Sequence, residues 1–80
     1  MNNEEIAQLL KVELEGCDVT VTSEGNHFQV TAIGEHFEGM GKVKRQQEVY
    51  RCLNDLISSG EIHAVRMQLF TPKEYELAES

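Results

Sequence analysis

Five side chains in this 80-residue sequence carry an imidazole or a thiol: His27, His36, His63, Cys17 and Cys52. The cysteines stand far apart, with no CxxC pair and no Cys/His tetrad, so neither a disulfide scaffold nor a structural zinc site is expected. Both read as reduced thiols packed like small hydrophobes. His36 precedes Phe37 in a loop and reads as a solvated or locally hydrogen-bonded ring. His27 ends a turn and His63 begins a strand, and the same reading is open to each. Two histidines cannot complete a zinc site alone, because structural zinc takes four protein ligands. As half of a coordination shell finished by a partner, they make chemical sense. Neutral imidazole suits iron, and two histidines in place of two thiolates on one iron is the Rieske arrangement.

Nothing in the spacing of Ser, His and Asp assembles a triad, and Glu4-Glu5 and Glu13/Glu15 read as solvated helix faces. There is no GxxxxGK[ST] phosphate loop. Gly39-Met40-Gly41 has the wrong spacing for the GxxG loop that clamps nucleotides in KH domains. A non-enzymatic protein is expected. Charge is unevenly placed. Lys42, Lys44, Arg45 and Arg51 face only Glu48 within their stretch, a local +3 in a chain of net charge −7. Three of these cations open a helix, where the dipole disfavours positive charge by about 0.3–1 kcal/mol each. They form either a solvated face or a patch for an anion or partner.

The elements that must position these groups follow from periodicity. Asn2 or Asn3 caps a first helix with Glu4 and Glu5 in its first turn, and Ile6, Leu9, Leu10 and Leu14 form its apolar stripe. Gly16 closes it. Alternation then begins: Val19 and Val21, a turn at Ser23-Glu24-Gly25-Asn26, and Phe28, Val30 and Ala32 predict a β-hairpin with His27 at its return. Phe37 and Met40 anchor a Gly34–Gly41 connection. A helix from Lys42 to Ser59 buries Val43, Val49, Tyr50, Leu53, Leu56 and Ile57, and ends at Gly60. A third strand spans Ile62 to Phe70. Its residues His63, Val65, Met67 and Leu69 share one face, and Ala64, Arg66, Gln68 and Phe70 the other. Thr71-Pro72-Lys73-Glu74 starts a short last helix by a capping box, fraying after Leu77. The order α-β-β-α-β-α predicts an α+β domain over residues 1–80, a mixed three-stranded sheet with helices packed on one face.

Composition bounds the function. A chain of 9.1 kDa with 40% apolar residues holds one core, and its pI near 4.8 counts against a general phosphate-backbone binder. There is no apolar run long enough for a membrane span. The polar, acidic start Met1-Asn2-Asn3-Glu4-Glu5 is unlike a secretory or transit signal, so a cytoplasmic protein is expected.

Five segments in order resemble the BolA family, most closely its IbaG branch. They are His27-Phe28-Gln29-Val30, Phe37-Glu38-Gly39-Met40, Val43-Lys44-Arg45-Gln46-Gln47-Glu48-Val49-Tyr50, Ile62-His63-Ala64-Val65 and Thr71-Pro72-Lys73-Glu74. The likeness runs from Ile6 to Tyr75. It implies a KH-like fold of type II topology and pairing with a monothiol glutaredoxin bearing a CGFS active site. Such pairs share a 2Fe-2S cluster, with the glutaredoxin cysteine and a glutathione on one side. The family's IHA motif falls here on Ile62-His63-Ala64, making His63 one ligand from this chain. The second comes from the loop between the first two strands, as Cys in some branches and His in others. Cys17 lies before the first strand, so the resemblance assigns His27. His36 matches no ligand position. Some members of the family are linked to transcriptional control, cell shape and acid stress, and Val43–Gln47 resembles a helix-turn-helix element. The alternative expectation is therefore a DNA-binding regulator of stress or cell-envelope genes using Lys42, Lys44, Arg45 and Arg51. The acidic balance and missing GxxG loop count against it.

Overall fold

A computed structural model describes residues 2–25, 27–62 and 64–79. The elements are α1 (Asn3–Glu13), β1 (Cys17–Glu24), β2 (His27–Gly34), a 3-10 turn (Glu35–Phe37), α2 (Lys42–Ser58), β3 (Ala64–Phe70) and α3 (Pro72–Glu79). The order α-β-β-α-β-α and the α+β class are those expected. The sheet runs β1-β2-β3, with β1 antiparallel to β2 and β2 parallel to β3. Two consecutive strands close as a hairpin. The third returns parallel, and α2 is the crossover that such a return requires.

Local chemistry sets the helix ends. The Asn2 side chain accepts from the Glu5 N–H at 2.8 Å, and the Asn2 N–H donates to the Glu5 carboxylate at 3.1 Å. Thr71 and Glu74 repeat this reciprocal cap, with the Thr71 N–H donating to Glu74 at 2.9 Å. Each cap satisfies two donors that the first turn would leave orphaned. Helix α3 continues past Leu77 to Glu79. Gly60 (φ +84°) takes the left-handed conformation that lets α2 stop. The Glu61 and Ile62 N–H groups then both donate to the Leu56 carbonyl.

Ile6, Leu10 and Leu14 of the first helical stripe meet Val19, Val21, Val30 and Ala32 of the sheet and Val49, Leu53 and Leu56 of α2. Phe37 is fully buried among them and anchors the connection, as expected. Three expectations need correction. Val43 and Tyr50 are exposed, at 67% and 46%. The buried stripe of α2 is Val49, Leu53 and Leu56, flanked by Cys52 and Ile57, which leaves Val43 and Tyr50 outside the contact arc. Ile62 is buried but precedes β3, because its N–H is committed to α2. Cys17 is the first residue of β1, in the core, and pairs with Gly34. That pairing is tight: a Cβ on Gly34 would lie 2.5 Å from Cys17 Sγ and 2.6 Å from Cys17 Cα.

Candidate functional site

The return of the hairpin and the start of β3 meet at one end of the sheet. His27 opens β2 and is exposed. Its Cα partner on β1 is Glu24, and on β3 it is Ala64. His63 and the turn residue Asn26 lie outside the described residues. The parallel register nevertheless sets the residue that follows His63 in sequence directly beside His27. Around this row runs an open groove of about 600 Å³, whose walls include Ser23, Glu24, His27, Gln29 and Arg66.

The remaining donors are placed elsewhere. Cys17 stands at the opposite end of β1 from Glu24, about 23 Å away at the usual rise of an antiparallel strand. Burial pushes both the Cys17 and Cys52 thiols up, keeping them protonated and poor metal ligands. Cys52 Sγ donates to the Glu48 carbonyl at 3.2 Å. The His36 ring meets Phe37 edge-on, with centroids 5.7 Å apart. Its Nε2 is buried 3.4 Å from Glu48 Oε1 and makes no hydrogen bond there. Among the described residues no three His, Cys, Asp or Glu side chains gather as a metal shell.

The four cations at the start and middle of α2 divide into two kinds, which corrects the reading of them as one patch. Arg45 is a structural clamp. Its Nε donates to the Met40 carbonyl at 2.9 Å, its Nη1 to the Leu69 carbonyl at 3.1 Å, and Nη1 and Nη2 grip both oxygens of Glu74 at 2.5 and 3.1 Å. Its guanidinium also lies 5.9 Å from the centroid of the Phe37 ring. The Arg45 hydrogen bond, helped by the Thr71 N–H, holds the Glu74 carboxyl down to about 2. Arg51 is held by Glu48 at 3.2 Å and Glu13 at 3.8 Å. Lys42 and Lys44 are exposed and form no ion pair with any described residue. Lys42 rims a second groove of about 570 Å³, floored by Met40, Met67, Leu69 and Phe70. The two grooves follow one another along β3, which is an edge of the sheet.

No motif in the sequence marks Arg66 or Gln29 as a binding residue. Their signal was the strand alternation, which sets Arg66 on the same side as Ala64; only the register shows that Gln29 is its neighbour.

A mixed three-stranded sheet in this order, joined to three helices, defines a small α+β domain. The chain belongs to the BolA family: the model of the BolA-like protein family matches residues 5–74. It is 45% identical over 75 residues to the acid stress protein IbaG of Escherichia coli K12, covering 94% of this chain and 89% of that one. The solved structure of a BolA homologue from Coxiella burnetii superposes with a TM-score of 0.81 at 30% identity, over 95% of this chain and 97% of that one. A DNA-binding transcriptional regulator, BolA of Haemophilus influenzae, is 35% identical over 51 residues, covering 64% of this chain and 48% of that one.

Proposed function

We propose that this chain is a non-enzymatic partner of a monothiol glutaredoxin, with which it shares a 2Fe-2S cluster in iron–sulfur trafficking or iron homeostasis. His27 and His63 bind one iron, while the glutaredoxin cysteine and a glutathione hold the other side. The observation that supports this reading is the pairing of His27 with Ala64, the residue that follows His63 in sequence. The groove beside it is open to a second protein, and Ala64 adds little bulk there. The cluster supplies the iron chemistry. This chain supplies nitrogen lone pairs, and its thiols stay out of the shell because Cys17 is buried at the far end of β1 and Cys52 is half-buried on α2. Lys42 and Lys44, unpaired among the described residues, face acidic groups of the partner.

The test is reconstitution of the mixed pair under anaerobic conditions, read by visible absorption and circular dichroism. Wild type gives spectra distinct from the glutaredoxin homodimer. H63A and H27A each remove that signature, and a chain with both cysteines changed to alanine keeps it. An unchanged spectrum for H63A sinks the assignment.

A second reading, DNA binding, is favoured by the regulator from Haemophilus influenzae and by the two exposed lysines at the start of α2. The engagement of Arg45 and Arg51 within the fold leaves it only Lys42 and Lys44 of that segment with which to neutralise phosphate.

A further inference from the structure

The sheet face bearing Ala64 is ruled into rows by the strand register. One row is Glu24–His27–Ala64, and the next is Thr22–Gln29–Arg66. Arg66 is exposed and, unlike Arg45 and Arg51, has no ion pair or hydrogen bond with any described residue. Its own row holds no acid. Across from it stands the Gln29 amide, and beyond that the Thr22 hydroxyl, both able to donate. The acid in the groove, Glu24, belongs to the neighbouring row and to β1, two strands away. In a chain with twice as many acids as bases, a guanidinium left without a carboxylate inside a groove has its N–H donors free to bind one.

We infer that Arg66, with Gln29 and Thr22, forms a carboxylate-binding subsite diagonal to His27. The planar fork of arginine matches a carboxylate through two parallel N–H···O bonds, and the amide and hydroxyl add donors in the same row. Glu24 limits the subsite on the β1 side, since its charge repels an anion placed too near His27. The subsite deepens the reading above and rests on it for its purpose. A partner that brings iron to His27 presents its carboxylate one row away, and Arg66 sets the orientation in which it docks. The carboxylate belongs either to the small peptide thiol that accompanies the cluster or to an acidic side chain of the docked protein.

The experiment needs no iron, so its failure is separate from any failure of cluster sharing. The isotopically labelled protein and its R66Q variant are titrated with glutathione, with glutathione diester, and with iron-free glutaredoxin. If the peptide supplies the carboxylate, glutathione shifts the signals of Gln29 and Arg66 at millimolar concentration, while the diester and R66Q abolish the shift. If the protein supplies it, glutathione is silent and R66Q weakens glutaredoxin binding roughly tenfold at low salt, a difference that fades as salt is raised. Wild type and R66Q behaving alike toward all three titrants overturns the inference. Because Arg66 is exposed and touches no described polar group, an unchanged amide spectrum will show that R66Q folds normally.

Discussion

Arg45 donates to two backbone carbonyls and both oxygens of Glu74, so its charge is used inside the fold. Replacing it with methionine leaves the carbonyls of Met40 and Leu69 without that donor. The expected loss for charge-assisted bonds of this kind is about 1.5–3 kcal/mol, measured by urea unfolding. K42Q and K44Q touch no such network and should stay within about 0.5 kcal/mol of wild type. The same clamp has a pH signature. The folded-state carboxyl of Glu74 lies below its unfolded value, so its contribution is complete at neutral pH and is lost as pH falls from the ordinary carboxylate range toward about 2. The gap in urea midpoint between wild type and E74Q should therefore be flat from pH 6 to 8, narrow in acid and close near that lower value.

At the scale of elements, the approach of β1 to β2 at Cys17 and Gly34 is the least forgiving contact. A side chain at Gly34 meets backbone as well as sulfur, at 2.6 Å from Cys17 Cα and from the Gly16 carbonyl. G34A must move one strand away from the other, and a cost of about 1–3 kcal/mol is expected from overpacking, read as a lowered midpoint with native-like circular dichroism. The elements themselves were legible in the sequence because each carried local signals. Asn2 and Glu5, Thr71 and Glu74, the alternation of Val19 to Ala32, and Gly60 all act within a few residues. What was not legible depends on tertiary contact. Helical spacing alone cannot say how wide an arc of α2 is covered, so Val43 and Tyr50 were placed inside. The partners of Arg45 come from the loop before α2, the end of β3 and α3, and no local pattern joins them. Likewise the candidate site was legible as two histidines through family likeness, but the row that sets Gln29 beside Arg66 exists only in the register.

For the whole molecule, a net charge of −7, with the basic helix start reduced to Lys42 and Lys44 as free cations, opposes phosphate binding. If Lys42 and Lys44 alone meet DNA, each neutralised phosphate contributes about −0.9 to the slope of log K against log salt, so the slope is near −2. A much steeper slope in gel-shift assays would mean that further cations meet phosphate, either the exposed Lys11, Arg66 and Lys73 or an Arg45 or Arg51 freed from its carboxylates, and would favour the regulatory reading. Among the described residues no helix is long and apolar enough to cross a membrane.

The crossover through α2 gives the site a history as well as a shape. Glu24 reaches His27 across a short hairpin loop, whereas Ala64 comes to it from beyond the whole of α2. One flank is assembled from neighbours in sequence and the other from a distant segment whose arrival completes the sheet. Loosening the seam between β2 and β3 would therefore strip one flank from His27 while leaving its hairpin flank intact.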